Sequence, residues 1–176
     1  MAVTVRAYDE TWPQRFEVER ARLSALLGGS VSRIEHIGST SVPGLAAKPI
    51  IDILVGTDRL DRLDACNAAM RAAGYQVKGE YGLPGRRYFR RDAANGVRLV
   101  HIHAYQTESD GFRRHLVFRD YLRAHPDEAA RYGDHKLGLA GSGALDGAGY
   151  QSAKSAMVGQ IEVRALLWVR ERDQKA

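Results

Sequence analysis

Asp52 is the carboxylate in this sequence that most needs a reason. It interrupts the run Pro49 to Val55, with Ile50, Ile51, Ile53 and Leu54 around it. That short, mostly β-branched run reads as a buried strand. A carboxylate there is costly unless a metal, a cation or hydrogen-bond donors compensate. The alternative is a side chain turned to solvent or to a structural arginine. Ahead of it stand Gly38 and three hydroxyls, Ser39, Thr40 and Ser41. Glycine lets a backbone approach a ligand closely, and hydroxyls with turn N–H groups can hold phosphate oxygens. Lys48, just before the strand, adds a point charge suited to a phosphate.

His101 and His103 alternate with Val100, Ile102 and Ala104, so a strand puts both imidazoles on one face. With Asp52 on a neighbouring strand they could form a two-histidine, one-carboxylate site. Such a site suits a transition metal more than Mg2+; the candidate divalent ions are Mg2+, Mn2+ or another transition metal. The same rings could instead serve as a general base or as donors to phosphate, or could simply close the core edge. His36, before the Gly-Ser turn, could join them. Lys136 follows Tyr132 by four residues and Lys154 follows Tyr150 by four, which puts each pair on one helix face. Lysine is scarce here, five against 21 arginines, so the repeat stands out. It points to tyrosine–lysine pairs lining a groove, or to exposed lysine tips lying on aromatic rings. Arg119, beside Asp120, could pair locally or frame a pocket. On the strand from 86 to 91, Arg86, Tyr88 and Arg90 share one face, and Arg87, Phe89 and Arg91 the other. Periodicity does not choose between the faces; Arg87 and Arg119 are taken as candidate phosphate contacts.

The elements that must position these groups follow from the punctuation. A helix over Trp12–Leu27 starts with Pro13 in its first turn and Thr11 as N-cap, and stops at Gly28-Gly29-Ser30. Strands are predicted over Val31–Ile37 and Pro49–Val55, then a helix over Asp58–Ala73 with Cys66 inside it as a small packing residue. A short strand near Tyr75–Lys78 precedes the turn GEYGLPG. Arg86–Arg91 and Val97–Tyr105 read as a hairpin around Asn95-Gly96. Three helices follow, at about 110–124, 126–140 and 147–172, the last two parted by Gly141-Ser142-Gly143. The pattern is α+β: a mixed β-sheet over about 31–105 with flanking helices and a helical C-terminal region, in one domain spanning 1–176.

Composition narrows the function. The 176 residues are 44% hydrophobic and 27% charged, with 18 Gly and 5 Pro, which excludes a collagen-like or disordered chain. One cysteine excludes an intramolecular disulfide. No apolar run approaches the ~20 residues of a membrane span, and no secretion signal is read at the N-terminus, so a cytoplasmic protein with no membrane partner is expected. Nine arginines against four acids fall between residues 86 and 123, an excess equal to the whole net charge of +5. That field suits an anionic partner or a solvated basic face. No nucleic-acid-binding motif accompanies it, so nucleic acid is not the expected partner. Nothing in the sequence fixes an oligomeric state.

The run EHIGSTSVPGLAAKPIIDILVG resembles the signature of the GrpB family, a group within the nucleotidyltransferase superfamily with the DNA-polymerase-β-like core. YDETWPQRFEVE, GRRYFRR, HIHAY, HLVFRDYLRAHPDEAARYGDHK and YQSAKSAM extend the resemblance over nearly the whole chain. It implies a nucleotidyltransferase-like fold, with Gly38-Ser39 as the Gly-Ser element and Asp52 as the first catalytic carboxylate. The usual partner two residues on is here Leu54, and the later strand offers His101 and His103 in place of a third carboxylate. The expected function is binding of a nucleotide or phosphorylated small molecule, with nucleotidyl or related phosphate-bond transfer supported by a divalent metal. A catalytically reduced binding module of the same fold is the alternative, with RNA or DNA binding a distant third.

Overall fold

The computed structural model describes residues 4–141 and 146–174. Helix α1 (Trp12–Leu27) leads into β1 (Arg33–Ile37), a one-turn 3-10 helix at Ser39–Ser41, and β2 (Ile51–Thr57). Helices α2 (Leu60–Ala65) and α3 (Asn67–Ala72) precede β3 (Gln76–Val77), β4 (Arg87–Asp92) and β5 (Arg98–Gln106). Helices α4 (Asp110–Ala124), α5 (Pro126–Gly141) and α6 (Gly147–Asp173) complete the described chain. The α+β architecture is as expected. Ser142 and Gly143, in the predicted break between the last two helices, lie outside the described residues.

The five strands form one mixed sheet in the order β1-β2-β5-β4-β3. Only the central pair, β2 and β5, is parallel; it sets Asp52 beside His101 and Leu54 beside His103. Strand alternation then divides the chemistry. Ile51, Ile53 and Val55 of β2, with Val100, Ile102 and Ala104 of β5, pack against Trp12, Phe16, Leu23, Leu63 and Met70 of α1–α3. The opposite face carries Asp52, His101 and His103 and is partly roofed by Phe112 of α4, which packs on Ile37, Leu54 and Tyr105. A separate apolar cluster, including Val117, Leu122, Tyr132 and Ile161, binds α4, α5 and α6 to one another and to the 39–45 turn through Val42 and Leu45.

Two local expectations differ. The predicted helix over 58–73 is two short helices. Cys66 N donates to Leu63 O, an i→i−3 bond that tightens the turn, and Cys66 O starts the next helix by accepting from Met70 N. Cys66 therefore sits at the joint, packed against the α1–α3 core. The start of α1 is fixed by Asp9 rather than by a Thr11 side chain. Asp9 Oδ1 accepts from both Thr11 N and Thr11 Oγ1. No helix among the described residues is long and apolar enough to cross a membrane.

Candidate functional site

Between the polar sheet face and α4–α6 lies a cleft of about 320 Å3. Its floor is Asp52, His101 and His103; one end is the Gly38–Thr40 turn; its helical wall carries His115, Phe118, Lys136 and Lys154. The size is at the small end of the ~300–1,000 Å3 typical of ligand pockets.

Gly38 seats the carboxylate. Its φ is +68 and its ψ −172, a conformation that only glycine adopts readily. A β-carbon there would stand 2.6 Å from Asp52 Oδ2. The turn and the strand thus meet so closely that a methyl group cannot fit between them.

A hydrogen-bonded chain orients Asp52. Arg98 Nη1 lies 3.1 Å from His101 Nε2, and His101 Nδ1 lies 3.1 Å from Asp52 Oδ1. Arginine can only donate, so Nε2 accepts and the ring proton sits on Nδ1, which donates to Asp52. Arg98 is in turn held by Asp92. Burial opposes the Asp52 charge, but the His101 hydrogen bond and the nearby cations outweigh it, and its carboxyl stays below the usual range. Asp52 is therefore an anion with Oδ1 committed to His101.

His103 is in a different state. Burial pushes its imidazole down to about 3, so the ring is neutral. Its Nδ1 is buried with no hydrogen-bond partner among the described residues. Neighbouring rings, Tyr88 at 5.4 Å and His115 at 5.2 Å, enclose it. An orphaned polar atom of this kind costs about 1–3 kcal/mol unless a ligand or water satisfies it.

Three lysines face the same space. Lys136 is almost fully buried; its Nζ donates to Ser39 Oγ at 2.8 Å and to Ala46 O, and lies 4.3 Å from the Tyr132 ring centre. Burial, reinforced by the charge of Lys154, lowers Lys136 to about 7. Lys48 lies 4.2 Å from the Tyr150 ring centre and Lys154 5.8 Å from it, so both cations share that ring. Both are lowered, chiefly by burial. Both Tyr-x-x-x-Lys pairs thus line the cleft. Glu162, the other carboxylate on its wall, pairs with Arg114 at 3.4 Å across the α4–α6 gap.

Other candidates sit elsewhere. Arg87 is on the far sheet face, gripping Asp64 of α2 through two hydrogen bonds of 2.6 and 2.8 Å. Arg119 is buried between Glu35, Asp120 and the His36 carbonyl, and ties α4 to β1. Ser41 spends its hydroxyl on Gly38 O. Thr40 lines the cleft, but its hydroxyl bonds His36 Nε2 at 3.0 Å. His36 itself turns away from the cleft to stack on Phe16, and burial lowers it to about 4. Of the three hydroxyls, Ser39 alone meets a cleft lysine. Sequence reasoning did not single out Arg98, His115 or the Arg114–Glu162 pair. Their roles come from contacts across elements, and no spacing signals them.

The residues do not fit a paired-metal centre. Among the described residues no group of three or more His, Cys, Asp or Glu side chains is gathered to hold a metal ion. His101 has both nitrogens engaged, and Leu54 is fully buried under Phe112.

The mixed sheet, the half-buried Asp–His pair and the lysine-lined cleft together define an α+β protein with a polar cleft on one sheet face. The chain belongs to the GrpB family, whose model, described as GrpB protein, matches residues 2–164. It is 38% identical over 171 residues to UPF0157 protein YqkA of Bacillus subtilis (strain 168). That match covers 97% of this chain and 49% of the relative, so the chain spans about half of that protein. It is 40% identical over 162 residues to UPF0157 protein SCO7215 of Streptomyces coelicolor, covering 90% of this chain and 81% of the relative. The crystal structure of conserved protein GrpB from Enterococcus faecalis is similar throughout, with 40% identity and a TM-score of 0.89 over 94% of this chain and 99% of that one.

Proposed function

We propose that the cleft binds a nucleotide or phosphorylated small molecule, with its phosphate among Lys48, Lys136 and Lys154. One observation carries this reading. Lys48 and Lys154 are half-buried cations in a cavity, and neither has a hydrogen bond or ion pair among the described residues. A cation taken from water without a counter-ion is costly, and an anionic ligand removes that cost. Ser39, held by Lys136, adds a hydroxyl within reach of the same point. Phe118, Val158 and Ile50 give the rest of the ligand an apolar wall.

Nucleotidyl or related phosphate-bond transfer is the activity that suits this floor. Asp52 is ionised, fixed by His101, and keeps Oδ2 for a ligand hydroxyl, from which it would take a proton. The lysines would stabilise charge on the phosphate as it is attacked. A divalent metal, where one takes part, neutralises phosphate charge; the donor set here does not form a paired-metal cradle, and no step is assigned to one. The second reading is a binding module without turnover, favoured by a single carboxylate in place of two.

Calorimetry with a panel of nucleotides, with and without Mg2+ or Mn2+, tests the binding. Asp52→Asn separates the two readings. In an enzyme it abolishes transfer while leaving phosphate affinity equal or higher, because a negative charge has left the cleft. In a binding module no transfer is measured for either form. No binding by any phosphorylated compound refutes both.

A further inference from the structure

Charge inside the cleft can be compared with the charge a ligand brings. Three ammonium groups, Lys48, Lys136 and Lys154, face one carboxylate, Asp52, that no lysine or arginine neutralises by direct contact. Arg114 and Glu162 cancel each other at the wall. His103 and His115 are both lowered by burial and add no charge. The excess is therefore two positive charges when all three lysines are protonated. A terminal phosphate monoester carries about −1.5 to −2 at pH 7, whereas a diester carries about −1. A phosphate already chelated by Mg2+ has lost that charge, and the ion keeps several waters that need room and oxygen ligands. Unpaired carboxylate oxygens are what this cleft is short of, since Glu162 is taken up by Arg114. Asp52 has one oxygen committed to His101, and the position two residues further on the same face is Leu54, fully buried against Ile37, Tyr105 and Phe112.

We propose, building on the phosphate-binding reading, that the ligand enters as a metal-free dianionic phosphomonoester, with the three lysines in the place a divalent ion would otherwise take. The monoester terminus lies among Lys48, Lys136 and Lys154. Mg2+ is then a competitor for the phosphate rather than a bridge to the protein.

The test uses four probes in calorimetry with the whole chain: inorganic pyrophosphate, ADP, AMP, and AMP methylated on its phosphate. Pyrophosphate and ADP are chelated well by Mg2+, so each is titrated in EDTA and in excess Mg2+. The expected result is binding in EDTA, weakened by Mg2+, with the methyl ester roughly tenfold or more weaker than AMP, since it lacks one charge-assisted contact. Lys154→Met should lower AMP affinity by a similar factor, and Lys48→Met serves as the second variant should the first misfold. Tighter or unchanged binding in Mg2+ overturns the proposal. So does a methyl ester that binds as well as AMP, or retention of full affinity by a folded Lys154→Met or Lys48→Met. If no probe binds in either condition, the phosphate-binding reading itself fails, which is a separate outcome from binding that requires Mg2+.

Discussion

Gly38→Ala tests the placement of Asp52 more directly than removal of the carboxylate does. Two costs arise at this position. The backbone, at φ +68 and ψ −172, lies in a region where a residue other than glycine costs ~1–3 kcal/mol. The new methyl would also stand 2.6 Å from Asp52 Oδ2 and 3.0 Å from its Cβ. Overpacking of that kind costs a further ~1–3 kcal/mol. The sum is ~2–6 kcal/mol, or a Tm fall on the order of 10 °C for a chain of this length. Gly44→Ala is the control, because Gly44 also has a positive φ, +78, but nothing within 4 Å of the added methyl. It should lose only ~1–2 kcal/mol. Chemical denaturation of Gly38→Ala, Asp52→Ala and the double variant completes a cycle. The contact predicts that Asp52→Ala relieves ~1–3 kcal/mol of the Gly38→Ala loss. Equal losses at positions 38 and 44, or additive behaviour in the cycle, would show that Asp52 does not sit against the turn.

Three further outcomes follow from the geometry. Lys154→Met should raise Tm by a few degrees while weakening anion binding, since it removes a desolvated cation that has the Tyr150 ring beside it but no hydrogen bond or ion pair among the described residues; a lower Tm would contradict that reading. Arg87→Gln should leave ligand affinity unchanged and cost no more than ~1 kcal/mol, the ordinary range for a partly exposed ion pair such as Arg87–Asp64. Acid should destabilise the fold through His36 and His103, lowered to about 4 and about 3. Both are neutral when folded, so the unfolded chain binds more protons below pH 6.5. Stability is full above that value and declines as pH falls toward 4 and 3. His36→Asn should flatten that slope in urea midpoints measured between pH 7 and 4, and an unchanged slope would remove His36 from the account.

Helix ends were readable because proline and glycine mark them. Trp12–Leu27 matches its predicted span, and the three later helices agree within a residue or two, with Pro126 opening α5. The shared face of His101 and His103 followed from strand alternation, and the lysine pairs stood out because lysine is rare in this chain. What escaped was partner choice. Nothing in GRRYFRR says that Arg87 meets Asp64, 23 residues away, or in FRDYLR that Arg119 reaches Glu35, 84 residues away. Composition also cannot tell a free hydroxyl from a spent one. Ser41 and Thr40 satisfy local backbone and His36, although their types suggested ligand contacts. The joint at Cys66 carries no breaker residue and was read as continuous helix.

Asp52 and His101 are 49 residues apart in the chain, yet they are direct neighbours in the parallel β2–β5 ladder. Parallel pairing of that separation is among the slower events of folding, because the intervening chain must be closed into a loop first. A growing polypeptide that has emerged only as far as the β3–β4 region owns the aspartate but no imidazole to hold it. The cleft floor is consequently assembled only once β5 is available to pair with β2.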